Sequence, residues 1–431
     1  MLAVLGFATL ATFMLLVMRK YATAFVAIMV TPIAFATAAG FGPDLGEMML
    51  GGLETVAPTA VLLLFAVLYF GVMMDARLFD PVSDTIIRIS KGDPVRICVG
   101  TAVLALLVAL DGDGTTSYMI ICSAFLPIYR RLGINPLVIA AIATMALGAI
   151  SGTTPWGGAA TRAISVLHLD AAEYFVPMIP SLLIASASIV LLAYLMGRRQ
   201  RRNVDPRAIE ELAAEIAGRE PGVRYARDWR MWFNAALTLL LLVLLVLGVA
   251  PLPTLFMGGF VIALLANHPR LADQGEVIRK HAANAVPVVM LVLAAGIFTG
   301  ILTDTGMTEA MADALLSAVP SSMGQLIPVM MAVIGLPLSF FMSNDAYFFG
   351  VLPVVAESAA QHGISGYEIA RAGVIGQMLH SIGPASAPLW VLLGLVKRDL
   401  GEFQRFALGW VFLASLAYLV AAVLTGAISV T

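Results

Sequence analysis

Leu110-Asp111-Gly112-Asp113-Gly114-Thr115-Thr116-Ser117 decides how this chain folds. It separates two apolar runs, 94–110 and 118–128. A membrane span takes roughly 20 apolar residues at about 1.5 Å each, and both runs fall short of that. The stretch therefore reads as the tip of a re-entrant hairpin that enters and leaves by one face. Its carboxylates, glycines and hydroxyls then lie at membrane depth, where irregular backbone must be covered by protein or line a wet cavity. A second tip, Ser343-Asn344-Asp345, stands between apolar arms 324–341 and 346–356.

Composition agrees with a membrane setting. Of the 431 residues 60% are hydrophobic and 12% charged, with a mean hydropathy of +0.94. Repeated apolar runs make this an all-α polytopic membrane protein. Cys98 and Cys122 lie inside apolar arms without metal-ligand spacing and read as small core residues. The run 2–17 ends in Arg19-Lys20, lacks a cleavage site and reads as a retained span. Neither a Walker motif nor a dinucleotide or zinc signature occurs, so no permanently bound cofactor, nucleic-acid partner or ATP-driven pumping is expected.

Ten spans are expected at 2–17, 22–40, 53–74, 135–167, 174–197, 231–249, 252–267, 284–303, 366–395 and 404–428. Two of them, 135–167 and 366–395, are too long for plain helices. They are interrupted at Ser151-Gly152-Thr153-Thr154-Pro155 and at Ser381-Ile382-Gly383-Pro384-Ala385-Ser386-Ala387-Pro388. Pro removes a backbone donor and Gly weakens a helix, so both read as broken helices with an unwound segment.

Basic residues set the orientation. Ten spans and two hairpins place 18–21, 75–93, 129–134, 198–230, 268–283 and 396–403 on one face. Of the 25 Lys and Arg, all but Arg162 and Arg371 fall on that face or in the adjoining helix ends. The positive-inside rule makes it cytoplasmic. Both termini then face outward from the plasma (inner) membrane.

The elements come in the same order twice: three spans, an amphipathic connector (75–93; 304–322), a hairpin, a broken helix and a final span. Residues 1–197 form a first repeat, with hairpin 94–128 and broken helix 135–167. Residues 231–431 form a second, with hairpin 324–358 and broken helix 366–395. Five full spans per repeat make the second enter from the opposite side, so the repeats are inverted. The segment between them, 198–230, opens Arg198-Arg199-Gln200-Arg201-Arg202 and reads as a solvated cytoplasmic linker with a positive-inside anchor, against a lipid-headgroup or regulatory site.

Two tips and two breaks are thus expected to meet near mid-membrane. Half-helix N-termini present unpaired N–H groups to carboxylates, while freed carbonyls and hydroxyls coordinate small cations. Gly112, Gly114, Thr115 and Thr116 at the first tip are candidate substrate contacts, with Ser151, Gly152, Thr153, Thr154 and Pro155 at the first break. Ser343 and Asn344 join them at the second tip, with His380, Ser381, Gly383, Pro384, Ala385 and Ser386 at the second break. Asp111, Asp113 and Asp345 are the candidate ion-coupling or metal-binding acids, since intramembrane carboxylates mark ion or proton paths. The competing reading makes each a cap on its own turn. His380 reads as a buried neutral histidine on backbone, or as a relay or substrate contact. Arg162 and Arg371 either snorkel to outer headgroups or draw an anion inward.

The motifs resemble a family. Gly46-Glu47-Met48-Met49, Tyr69-Phe70-Gly71-Val72-Met73, Lys91-Gly92-Asp93-Pro94-Val95 and the first tip look like the citrate–divalent-metal:proton symporters. So do Pro155-Trp156-Gly157-Gly158, Phe341-Met342-Ser343-Asn344-Asp345-Ala346 and Gly350-Val351-Leu352-Pro353. The resemblance implies membership of a superfamily of ion-coupled carboxylate transporters, often homodimeric, whose transport domain moves like an elevator against a scaffold. It implies a small di- or tricarboxylate substrate, foremost citrate complexed with a Mg or Ca type cation, coupled to protons. A proton- or sodium-coupled carrier of the free carboxylate stands beside it. A channel and an intramembrane aspartyl hydrolase are the remaining classes; helix breaks in inverted repeats disfavour the first, and aspartates on hairpin tips disfavour the second.

Overall fold

The computed structural model describes residues 1–202, 204–218, 229–316 and 321–429; parts of the linker (219–228) and of the second connector (317–320) lie outside the described residues. Helices α1 (Leu2–Met18), α2 (Ala24–Ala38), α3 (Leu45–Asp75) and α4 (Asp80–Ser90) lead into the first helix–turn–helix, α5 (Pro94–Val108) and α6 (Gly114–Arg131). Then come α7 (Pro136–Thr153), α8 (Gly158–Val166), α9 (Ala171–Phe175), α10 (Ile179–Arg201) and α11 (Pro206–Gly218). The rest of the chain opens with α12 (Trp229–Val246), α13 (Leu252–Asn267), α14 (Leu271–Asp304) and α15 (Met307–Leu316). A second helix–turn–helix follows, α16 (Ile327–Phe341) and α17 (Leu352–Ala360), then α18 (Gly366–Gly376), α19 (Ala387–Val396) and α20 (Leu400–Leu424). No strand occurs among the described residues.

Nine helical stretches among the described residues are long and apolar enough to cross a bilayer, while α1, α2 and α13 are shorter apolar helices. Helices α3 and α14 run to 31 and 34 residues, well past the expected 53–74 and 284–303. The two pack antiparallel from Met48 beside Gly300 to Asp75 beside Lys280 and His281, which keeps the polar end of α3 helical. A Cβ on Gly52 would stand 2.0 Å from the Gly296 carbonyl oxygen, and one on Gly71 2.5 Å from the His281 ring. Side chains smaller than alanine are what bring the two backbones together.

Counting 3-10 turns, the first arm runs 94–111, one residue past its expected end, and 324–341 keeps its expected bounds; at 18 residues each both are long enough to cross, so arm length is not what returns the chain. Contacts at the ends establish the return. Asp93 pairs with Arg201 at 3.6 Å, and the Asn135 N–H reaches Gln200 Oε1 at 3.3 Å. Both ends of α5–α6 therefore sit at the C-terminus of α10. Gly112, at φ +84°, makes the reversal in a left-handed conformation that costs glycine little.

Both helix breaks exist, displaced from their expected places. Ser151, Gly152 and Thr153 are still helical; the break spans Thr154 to Gly157. Pro155 drives the residue before it into extended backbone, and Thr154 lies at ψ 139°. Gly157 passes so near that a Cβ would stand 1.7 Å from the Ser151 carbonyl oxygen. The second break starts earlier than read, at Gln377: a 3-10 turn, Met378–Ile382, carries His380 and Ser381 before extended Gly383 and the cap of α19 at Ser386. Helix α7 is the hub. In the most apolar stretch of 136–166, 94% is buried, with α5, α6, α10, α18, α19 and α20 packed around it.

Candidate functional site

The four irregular elements converge. A cavity of about 150 Å³ is bounded by Gly112 and Gly114 of the first tip, Ser151 and Gly152 beside the first break, Asn344 of the second tip, and His380, Ser381 and Ser386 of the second break. Hydrogen bonds fix two of these elements together. Ser151 Oγ donates to the Gly112 carbonyl at 2.8 Å, and Trp156 Nε1 to the Leu110 carbonyl at 2.7 Å. Trp156 is held in turn by Phe70 and Phe256, with ring centroids at 5.7 and 4.9 Å. Residues before and within the first break, Ser151 and Trp156, therefore clamp the first tip, the indole being held by packed aromatic rings.

Polar atoms around this cavity suit carboxylate and cation chemistry. Asn344 Oδ1 is buried with no partner, an acceptor left for a cation or a donor. His380 Nδ1 sits 3.1 Å from the Ser339 carbonyl, which accepts its proton and ties the ring to the backbone of α16. Among the described residues no cluster of three or more His, Cys, Asp or Glu is placed to hold a metal ion.

A larger cavity, about 530 Å³, shares Gly112 and Gly158 with the first and is lined by Asp111, Asp113 and Thr116. The three acids have different surroundings. Asp113 accepts from Thr115 N–H at 3.2 Å, Thr116 N–H at 3.0 Å and the Thr116 hydroxyl, capping α6. Asp345 accepts from Arg162 Nε at 2.6 Å, with both side chains about four-fifths buried. Arg162 thus neither snorkels nor stands free; it joins α8 to the second tip and also donates to the Gly158 carbonyl at 2.6 Å. Asp111 is 8% exposed and, among the described residues, its carboxylate has no hydrogen-bond donor.

Other expected contacts lie away from both cavities. Thr153 shares a 2.8 Å hydrogen bond with Tyr418, the Thr154 hydroxyl is buried and unpartnered, and Ser343 Oγ accepts from the Ala346 N–H at 3.2 Å. Pro155 only shapes the break, Gly383 packs against Phe340, and Pro384 and Ala385 are exposed. Thr115 contributes its N–H to the Asp113 cap. Arg371, the second arginine outside the basic face, donates to the carbonyls of Glu173, Tyr174 and Ala427.

Sequence reading missed Asp75, Lys280, His281 and Asn284 on the opposite wall of the larger cavity. Asp75 accepts from Lys280 and lies 2.9 Å from His281 Nε2. Only the ends of apolar runs mark these residues in sequence, and such ends read as ordinary span boundaries.

The citrate transporter family profile matches residues 10–376. The chain is 46% identical to the uncharacterized transporter YraO of Bacillus subtilis, over all of both chains. It is 44% identical to a citrate transporter and 45% identical to a Mg(2+)/citrate complex secondary transporter of that organism, again over all of both chains. In fold it resembles the YdaH transporter of Alcanivorax borkumensis, with a TM-score of 0.62, 16% identity, and 89% of this chain and 88% of that one covered. The chain belongs to the citrate transporter family.

Proposed function

We propose that this protein is a secondary symporter carrying citrate, or a closely similar carboxylate, as a complex with a divalent cation and coupled to protons. The observation that carries the reading is the convergence of two tips and two breaks on one cavity edged by hydroxyls, Asn344 and His380, next to the acids of the larger one. Half-helix N-termini suit the carboxylates. Oxygen donors suit a hard cation, which here is cargo and not a resident cofactor. The relatives named for citrate and for its magnesium complex support the same substrate class.

In this reading residues 1–197 and 231–431 are inverted repeats joined by the linker, the hairpins and broken helices belong to a moving domain of a homodimer, and both termini face outward from the inner membrane. The basic face supports the orientation. A cysteine introduced at Glu210 should react with an impermeant reagent only from the cytoplasmic side, and one at His362 only from outside. Reaction at 210 in intact cells would refute it.

Uptake of a panel of labelled carboxylates into proteoliposomes tests the substrate. Citrate should accumulate with magnesium or a similar cation present and stop when chelator is added. Saturation and counterflow should accompany it, as for a carrier. Accumulation that ignores chelator yet collapses with the pH gradient would leave a free carboxylate coupled to protons.

A further inference from the structure

A groove of about 860 Å³ lies away from the transport site, between α4, the start of α5 and the end of α10. Its rim is basic: Arg96 comes from α5, and Arg198, Arg201 and Arg202 from the end of α10. Among the described residues the one acid on the rim, Asp93, already accepts from the Val95 and Arg96 N–H groups through one oxygen and pairs with Arg201 at 3.6 Å through the other. The rim therefore keeps a surplus of positive charge. Its floor is apolar. Val99 and Val103 lie successively deeper along α5, and Val103 is 37% exposed. Ile89, 62% exposed, stands at the edge, as does Tyr194, with the Arg198 guanidinium 5.9 Å from its ring.

Charge and hydrophobicity are thus separated along one groove, basic at the level of the polar helix ends and apolar toward the membrane interior. A free anion would use only the rim, and a detergent-like apolar molecule only the floor. An anionic phospholipid uses both. Arginine guanidinium groups bind phosphate through paired charge-assisted hydrogen bonds, and basic pockets between helices on the basic face of a membrane protein are where such headgroups lodge.

We propose that the groove binds one anionic diacyl phospholipid, its phosphate on the arginine rim and one acyl chain along Val99 and Val103. The site is independent of the substrate reading. It bears on transport only because α5 leads directly to the tip that carries Asp111.

The test uses full-length protein, delipidated in detergent, with its melting temperature followed as lipid is added. Phosphatidylglycerol should raise the melting temperature saturably, phosphatidylcholine should do so much less, and inorganic phosphate should not. The triple variant Arg198→Gln/Arg201→Gln/Arg202→Gln should need about a hundredfold more phosphatidylglycerol for half the effect, from about a fivefold loss per arginine. Val103→Trp fills the floor, leaves the rim intact and should weaken binding at least tenfold. An equal shift with phosphatidylcholine would overturn the proposal in favour of simple apolar burial. An equal shift with phosphate would overturn it in favour of a free-anion site. Should the triple variant not fold, wild-type affinity in Val103→Trp overturns it alone.

Discussion

Asp345→Asn and Arg162→Gln should each cut citrate uptake by about two orders of magnitude and lower the yield of folded protein. The two side chains meet at 2.6 Å with only 18% and 20% of their surface exposed. Removing one partner of such a pair strands the other charge away from water, at a cost of about 3–5 kcal/mol. The double variant Asp345→Asn/Arg162→Gln removes both charges, so its folded yield should exceed that of either single variant. Its uptake should stay low, because the pair ties the second tip to α8 beside the cavity that Asn344 lines and gives a substrate carboxylate a guanidinium to compete for. Size-exclusion profiles and proteoliposome uptake read the two effects separately. Wild-type uptake in the double variant would make the pair a structural link only.

That pair shows what the sequence could not reveal. An arginine alone in an apolar run must find either a headgroup or a counter-charge, and its partner lies 183 positions away. The tips were legible because Asp-Gly-Asp-Gly and Ser-Asn-Asp cannot continue an apolar helix and cannot face lipid. Break positions were half legible. Small and hydroxylated residues drew the first break toward Ser151, but hydrogen bonding tolerates them in a buried helix, and Pro155 alone fixes where it ends. The wall of Asp75, Lys280 and His281 was hidden for another reason. Polar residues after an apolar run look like a loop, whereas α3 and α14 continue as helices because they pack on each other through glycine. The meeting of tips and breaks was therefore readable as a candidate site, while the pairing of its charges depended on tertiary contact.

Asp111→Asn should abolish concentrative uptake, whereas Asp113→Asn should reduce it by less than tenfold. In the proposed function, citrate brings about three negative charges next to a cavity lined by carboxylates, and each like-charge pair at about 4 Å costs about 4 kcal/mol at an effective dielectric near 20. Helix N-termini return only about 0.3–2 kcal/mol each, so the negative charge must be met by a cation or by protons. Asp113 is occupied as the cap of α6, and asparagine caps a helix about as well as aspartate. Asp345 is met by Arg162. Asp111 is buried without a donor among the described residues and faces the larger cavity. A carboxylate so placed is costly when ionised, and it is relieved by taking up a proton or by meeting the divalent cation of the cargo. The two roles separate in one variant. If Asp111 carries the proton, Asp111→Asn loses accumulation but keeps citrate counterflow, with its dependence on divalent cation intact. If Asp111 touches the metal, counterflow falls as well, and the half-saturating cation concentration rises about tenfold or more. Wild-type accumulation in Asp111→Asn, or a larger loss in Asp113→Asn, would move the coupling to a different carboxylate.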